Sequence, residues 1–181
     1  MKIITILYRG RSYALLLLIF VLLPSLAPAS DYMTGREAAI AGNYEKAISI
    51  WEKLALEGDV LATYSLGQTY QNGLGVVKDY EKARTLFHIA ALLEYPNAQY
   101  SLGLSYFSLA GATSLSGGIS SESSRRLDMI KGYTWLSIAA KNGHADAPKL
   151  LNQIEGLGMP ADLVIEAQRS AKNCEDNLIK C

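Results

Sequence analysis

The sequence of 181 residues contains few of the side chains on which catalysis and metal binding usually depend. It has two histidines, His88 and His144, and its two cysteines both lie at the C-terminus. The histidines fall in different units of the repeat described below, which argues against a shared metal site. No G-x-S-x-G motif or Ser/His/Asp set is recognisable. We therefore expect a protein that is not an enzyme and that uses no metal or cofactor.

Neither sign of charge is in clear excess. The chain has 17 Lys and Arg residues against 17 Asp and Glu residues. The first 29 residues hold three of the basic residues and no acidic ones, so the remainder carries 14 basic against 17 acidic residues, a net charge of −3. Such a balance provides no general attraction for a phosphate backbone. Nucleic acid is therefore not expected as a partner.

Long hydrophobic runs are missing except at the N-terminus. There a short basic segment precedes an apolar run from Tyr13 to Leu23, and small residues follow at Ala27 and Ala29. The run is well short of the roughly 20 residues that span a bilayer. This layout predicts a cleavable signal peptide over residues 1–29. We therefore expect a periplasmic or secreted protein with no stable membrane insertion after cleavage.

The two cysteines, Cys174 and Cys181, are expected to form a disulfide if the chain is exported. In one continuous helix they would lie about 10 Å apart, beyond the roughly 7 Å limit for a bridge. The spacing therefore predicts that the helix ends near Cys174 and that residues 175–180 curl back as a tail. Closing so short a loop stabilises the fold by roughly 2.5 kcal/mol.

The most informative positive feature is a repeat of 36 residues. The segment Ala62–Gly67 recurs as Ala98–Gly103, and Tyr80–Ala83 matches Tyr44–Ala47. Beyond Gly103 the match continues at an offset of 49 residues, which indicates an insertion of 13 residues before Asp128. Regular internal repeats of this length are typical of solenoid proteins.

Each half of the repeat has the periodicity of an amphipathic helix. Apolar residues occur at Ala83, Leu86, Phe87, Ala90 and Ala91, which places them on one helix face. A pair of such helices buries its apolar face only by stacking against neighbouring pairs. The fold class predicted is therefore all-α, an α-solenoid of antiparallel helix hairpins with repeats of about 36 residues, spanning residues 30–173.

Glycines recur inside and between these predicted helices. Gly67 and Gly103 occupy equivalent helical positions, which predicts that helices cross closely there. The stretch GLGVV at residues 73–77 resembles a phosphate-binding loop only superficially, because no strand precedes it and no G-K-[ST] follows. Gly73 and Gly75 are instead expected to form a turn between helices, with Asp79 as the N-cap of the second helix.

The pattern resembles the Sel1-like repeat family, relatives of the tetratricopeptide repeats. The matching signature is A-x-Y-x-L-G-x-x-Y-x-x-G-x-G-V-x-x-D at Ala62–Asp79, followed by K-A-x-x-L-F-x-x-A-A at Lys82–Ala91. Residues 98–140 fit a second unit, 31–58 resemble a half unit, and 160–173 resemble a closing helix. The resemblance implies a right-handed superhelix whose concave face binds proteins or peptides. It also implies a bacterial exported protein, since many bacterial members are exported.

Two groups of residues are candidates for partner binding. Four tyrosines come from the first helices of successive units, which line the inner surface in solenoids of this type: Tyr64, Tyr70, Tyr100 and Tyr106. Tyrosine and arginine are favoured as anchors of interfaces. The Gly- and Ser-rich insert at about 108–126 is expected to be a flexible loop, and it ends in the basic pair Arg125 and Arg126.

These observations favour a non-catalytic interaction module in the bacterial envelope, an adaptor or regulator that binds an unidentified protein or peptide on its concave face. Two alternatives remain open. One is an immunity protein that neutralises an exported toxin, and the other is an envelope enzyme that acts on cell-wall fragments.

Overall fold

The structure, a computed structural model, describes residues 29–115 and 122–176. These two ranges contain eight helices and no strand. The helices are α1 (Ala29–Ile40), α2 (Tyr44–Leu56), α3 (Val60–Asn72), α4 (Tyr80–Leu92), α5 (Pro96–Leu115), α6 (Glu122–Lys141), α7 (Ala147–Gly156) and α8 (Ala161–Asp176). Each of α1 to α6 packs on the next helix along the chain, and α8 packs on α6. The predicted all-α solenoid of antiparallel hairpins is confirmed.

The hairpins stack so that first helices contact first helices and second helices contact second helices. Tyr32 of α1 reaches Ser65 of α3, and His88 of α4 contacts Trp135 of α6. Several large side chains of the core are almost fully buried: Trp51, Phe87, Leu102, Trp135 and Leu136. Buried apolar residues of α1, α2 and α3 form one cluster, and those of α4, α5, α6 and α8 form another, so successive hairpins bury residues together as stacking of repeats requires.

Acceptor side chains begin three of the helices. Asn43, Asp59 and Asp79 each accept a hydrogen bond from a backbone N–H three residues further on, at distances of 3.2, 2.8 and 2.9 Å. These bonds satisfy backbone donors that would otherwise lack a partner at a helix start. The predicted N-cap at Asp79 is confirmed. Gly73 and Gly75 have φ angles of 70° and 71°, so the predicted turn between α3 and α4 is confirmed as well.

Glycine permits close crossing of the two helices in each unit. A Cβ atom at Gly67 would lie 2.6 Å from the ring of Phe87, and one at Gly103 would lie 2.8 Å from Leu136. Phe87 and Leu136 are equivalent positions in the second helices of their units. The prediction that Gly67 and Gly103 mark close crossings is confirmed.

The first hairpin is complete, so its interpretation as a half unit is wrong. Gly35 of α1 takes the place of Gly67, because a Cβ there would lie 2.5 Å from Trp51. The connection between α1 and α2 has three residues, whereas that between α3 and α4 has seven. Because this connection is four residues shorter, α1 does not align with α3 at an offset of 36 residues, and the match between the two helices is not seen at that offset.

The prediction of a loop over residues 108–126 is wrong for the residues that the structure describes. Helix α5 continues to Leu115 and α6 begins at Glu122, so both ends of the insert are helical. Each of these helices has 20 residues, against 13 in α3 and α4. Seven additional residues lengthen a helix by about 10 Å. The insertion therefore extends the α5–α6 hairpin, and of residues 108–126 only 116–121 lie outside the described ranges.

Two predictions fall largely outside the described residues. The signal peptide at 1–29 precedes all but the first residue of α1, and Cys181 follows the end of α8. Helix α8 passes through Cys174 and ends at Asp176. Cys174 is buried beside Trp135 and Ile138. The disulfide between Cys174 and Cys181 stays a prediction. Among the described helices, none combines the length and apolar character needed to cross a bilayer.

Candidate interaction surface

A row of tyrosines links the first helices of successive units. The Tyr32 hydroxyl lies 3.2 Å from Ser65 Oγ, and the Tyr64 hydroxyl lies 3.4 Å from Ser101 Oγ. Tyr100 occupies the equivalent place in α5. We call Tyr32, Tyr64 and Tyr100, together with Ser65 and Ser101, the tyrosine ladder. Its repetition follows from the sequence Y-x-x-G, in which the glycine sits at the helix crossing described above.

Two further rings hold the ladder in place. Tyr95 meets Tyr64 edge to face with ring centroids 5.1 Å apart. His144 stacks on Tyr100 with centroids 4.0 Å apart and planes 8° from parallel. Tyr95 and His144 are equivalent at the 49-residue offset. The ladder rings are half-buried, and burial raises the pKa of Tyr64 and lowers that of His144. Both groups are therefore neutral at pH 7.

Amide side chains complete the surface beside the ladder. Gln68 Nε2 donates to the Tyr64 hydroxyl at 3.1 Å, and Asn97 Nδ2 donates to the Tyr95 hydroxyl at 3.0 Å. Both amides are exposed. Aromatic rings that lose little side-chain entropy on binding, flanked by adaptable amides, suit contact with a peptide backbone. This surface can donate, accept and pack without presenting a net charge.

A cleft of about 420 Å³ opens at the α1 end of the ladder. Tyr32 and Arg36 of α1 form one side, and Gln68 of α3 and Tyr44 of α2 also line it. The cleft is thus continuous with the ladder through Tyr32 and Gln68. It adds the charged group Arg36 to an otherwise neutral surface.

The structure separates the four predicted tyrosines into two pairs. Tyr64 and Tyr100 belong to the ladder. Tyr70 instead faces α4, where Lys82 Nζ donates to its hydroxyl at 2.6 Å. Tyr106 lies between the cations of Arg84 and Lys131, whose charged groups are 5.7 and 5.5 Å from the ring centroid. Tyr70 and Tyr106 therefore join first helices to second helices rather than sharing one surface with the ladder.

A second cleft, of about 530 Å³, lies between α4 and the lengthened helix α5. The apolar residues Phe87, Tyr80 and Leu104 line it, together with the charged residues Glu81 and Arg84. Arg84 is ion-paired to Glu81 within α4. This cleft therefore presents aromatic and aliphatic surface beside the α5–α6 hairpin.

The two predicted arginines lie near the start of α6. Arg125 pairs with Glu122 in the same turn, and Arg126 pairs with Asp162 of α8 at 2.5 Å. The guanidinium of Arg126 lowers the pKa of Asp162. Arg126 thus links the third hairpin to the terminal helix.

The two histidines lie apart and contact aromatic rings. His88 meets Trp135 edge to face at 5.8 Å, whereas His144 stacks on Tyr100. Burial lowers the pKa of His88. Within the described residues, no group of three or more His, Cys, Asp or Glu side chains has a geometry that could hold a metal ion.

Residue patterns in the sequence do not reveal several members of this surface. Tyr32 was hidden by the short α1–α2 connection, although Tyr32-x-x-Gly35 repeats the spacing of Tyr64-x-x-Gly67. His144 could have been found from its equivalence to Tyr95 at the offset of 49 residues. Gln68 carries no such signal, since its role depends on its hydrogen bond to Tyr64.

Comparison with known proteins gives a consistent result. The family model for the Sel1 repeat matches residues 26–59, 60–95 and 96–144, which correspond to the three hairpins α1–α2, α3–α4 and α5–α6. Human protein sel-1 homolog 2 is 36% identical over 63 residues, 35% of this chain and 9% of that protein. The mouse protein of the same name is 35% identical over 77 residues, 41% and 11% of the two chains. This chain thus spans about a tenth of the length of these curated relatives.

Among solved structures, a Sel1 repeat protein from Oxalobacter formigenes is similar with a TM-score of 0.42 and 18% sequence identity. The match covers 86% of this chain and 77% of that one.

Proposed function

Because the chain belongs to the Sel1 repeat family, we propose that it is a non-catalytic interaction module that binds a protein or peptide partner along the tyrosine ladder. Sel1 repeats generally mediate contacts between proteins. The observation that carries the proposal is the recurrence of the same tyrosine at the same place in three successive first helices. A surface built at the repeat spacing suits an extended partner that crosses several units.

The chemistry of the ladder supports a peptide or protein partner. Its tyrosine rings are held by neighbouring rings, so binding would cost little additional side-chain entropy. The exposed amides of Gln68 and Asn97 offer donors and acceptors beside them. We infer that the ladder is the concave face expected for solenoids of this family.

The proposed setting is the bacterial envelope, where the protein would act as an adaptor or regulator. The N-terminal sequence pattern supports export. The partner would then be a protein or peptide of the periplasm or of the cell exterior.

Substitution of the exposed amides tests the proposal without disturbing the core. Partners would be captured by cross-linking in the organism that makes the protein, and their affinities then measured with purified proteins. Replacing both Gln68 and Asn97 by alanine should weaken binding by roughly ten- to thirty-fold, because each lost hydrogen bond contributes about 1 kcal/mol. Replacing Asn152 and Gln153, exposed amides of α7, is the matched control and should change affinity less than about two-fold.

Equal affinities for the two double variants would contradict the proposal. Identification of the partner as a toxin whose activity the protein blocks would show that the interaction is one of immunity. Turnover of cell-wall fragments by the purified protein, with no captured partner, would show that the protein is an enzyme instead.

A further inference from the structure

Five helices in the described ranges end in the same tight turn. In each turn a backbone N–H donates to the carbonyl three residues earlier, at 3.0–3.1 Å. The donating residues all have positive φ angles and are Gly42, Gly58, Glu94, Gly143 and Gly158. Glycine adopts this conformation without strain, whereas a side chain disfavours it. The turn after α4 therefore carries glutamate, with a φ angle of 60°, where the other four turns carry glycine.

The turn itself gives no reason for this glutamate. Glu94 is exposed and forms no ion pair with any residue in the described part of the chain. Gly58 and Gly143 occupy the equivalent places at offsets of 36 and 49 residues, with φ angles of 89° and 90°. A residue other than glycine in the left-handed region lowers stability, and residues held there are concentrated at functional sites. The conformation of Glu94 therefore points to a contact outside the fold.

Glu94 lies at the edge of the tyrosine ladder. It directly precedes Tyr95, whose ring meets that of Tyr64 with centroids 5.1 Å apart. Two residues beyond Tyr95, Asn97 donates through Nδ2 to the Tyr95 hydroxyl. Because consecutive Cα atoms are about 3.8 Å apart, the backbone of Glu94 is fixed beside this aromatic pair. Its exposed side chain is within reach of a partner bound there.

The neighbouring amides present further hydrogen-bond acceptors. Gln68 and Asn97 each use the side-chain nitrogen to donate to a tyrosine hydroxyl. Their side-chain oxygens accept no hydrogen bond from the residues that the structure describes, and both amides are exposed. Two carbonyl oxygens and one carboxylate therefore border the rings of Tyr64 and Tyr95. Such a set of acceptors favours a positively charged donor.

We propose that Glu94 binds a basic side chain, Lys or Arg, of the partner peptide at the edge of the ladder. The carboxylate pairs with the cation, and the carbonyl oxygens accept further N–H groups of the peptide. The partly exposed ring of Tyr95 packs against the aliphatic stem of the same side chain. Glu94 thus sets the specificity of this surface more than its overall affinity. This proposal rests on the proposed function, since it names the chemistry of a partner bound along the ladder.

Selection of random peptides displayed on phage tests the preference for a basic residue. The native chain, Glu94→Gln and Glu166→Gln are each immobilised, and the selected peptides are sequenced. Glu94→Gln removes the charge but keeps the size of the side chain, and Glu166→Gln is the matched change at an exposed site on α8. With the native chain and with Glu166→Gln, we expect Lys and Arg to be enriched about three-fold or more at one position of the peptides. Glu94→Gln should select peptides without that enrichment.

The affinity of one selected basic peptide provides a second measurement. Glu94→Gln should weaken its binding about three- to ten-fold at low ionic strength, because an ion pair is lost. The difference from the native chain should shrink at high ionic strength, since salt screens an exposed ion pair. A purely structural role of Glu94 predicts no such dependence on salt.

The strained backbone provides a matched pair of controls. Glu94→Gly should raise Tm by about 2–4 °C, because glycine relieves the strain, and should weaken peptide binding as Glu94→Gln does. Gly158→Glu places glutamate in the equivalent turn after α7, where a Cβ atom would meet nothing within 4 Å. This change should lower Tm by a similar amount and leave peptide binding unchanged.

Two results would overturn the proposal. The first is an enrichment of Lys and Arg with Glu94→Gln that equals the enrichment with the native chain. The second is a set of peptides, selected by the native chain, that share no basic residue. In either case, loss of peptide binding on replacing Gln68 and Asn97 would leave the proposed function standing. Selection of no peptide by the native chain would contradict the proposed function as well.

Discussion

Substitution of Gly67 by alanine tests the helix crossings on which the repeat depends. The new Cβ atom would lie 2.6 and 2.7 Å from two carbons of the Phe87 ring, which is 1% exposed. Because the ring is enclosed, the overlap should cost about 1–3 kcal/mol, as in other overpacked cores. Alanine is better than glycine in a helix by about 1 kcal/mol. Because two ring carbons overlap, we expect an overlap cost of about 2–3 kcal/mol, and thus a net loss of about 1–2 kcal/mol in the free energy of unfolding.

Gly156 provides the matched control. It ends α7, and a Cβ atom there would meet nothing within 4 Å. Gly156→Ala should therefore leave stability unchanged or raise it by up to about 1 kcal/mol. Urea unfolding followed by far-UV circular dichroism measures both variants. For a domain of this size, the loss at Gly67 corresponds to a fall of about 2–8 °C in Tm.

A double variant tests whether the overlap with Phe87 is the cause. Gly67→Ala combined with Phe87→Ala should cost less than the sum of the two single changes, because alanine at position 87 removes the ring carbons that overlap the new Cβ. If Gly67→Ala is as stable as Gly156→Ala, the helices do not cross as closely as the structure shows and the reasoning is refuted.

Three further predictions concern the C-terminal half. Cys181→Ser should lower the free energy of unfolding by roughly 2.5 kcal/mol if the disulfide forms. Intact-mass measurements of the native chain with and without reductant test for the disulfide itself. An unchanged mass after reduction would exclude the disulfide. Arg126→Gln should raise the pKa of Asp162, measured by an NMR titration of its carboxyl carbon, because the guanidinium lowers that pKa. A carboxyl group whose pKa is lower in the folded state stabilises the fold at pH values above its pKa in the unfolded state. The difference in free energy of unfolding between Arg126→Gln and the native chain should therefore shrink as the pH falls through the folded-state pKa of Asp162. A difference that stays constant with pH would contradict the interaction between Arg126 and Asp162. Deleting residues 110–124 should reduce helical content by circular dichroism, because helical residues lie at both ends of that range, and an unchanged spectrum would support a loop.

Periodicity predicted the helices well because the repeat imposes the same packing three times. The recurrence of Gly67 as Gly103 predicted close crossings, since no other property of glycine favours a helix interior. The first unit was underestimated because its shorter connection shifts the register by four residues. A search for repeats at one fixed offset does not detect units whose helices are joined by connections of different length.

The insert is helical at both ends instead of forming the predicted loop, for a different reason. Its Gly and Ser content disfavours helix in isolation. In the structure α5 and α6 pack against each other, and tertiary packing stabilises helices that intrinsic propensity does not favour.

Position-specific photo-cross-linking in living cells tests the central claim most directly. A photoreactive residue would replace either Gln68, which lies beside the ladder, or Thr85, which is exposed on α4. Binding along the tyrosine ladder predicts a discrete adduct with one partner from position 68 and none from position 85. An adduct from position 85 alone, or from neither position in a folded and exported chain, would contradict the assignment of the ladder as the partner-binding surface.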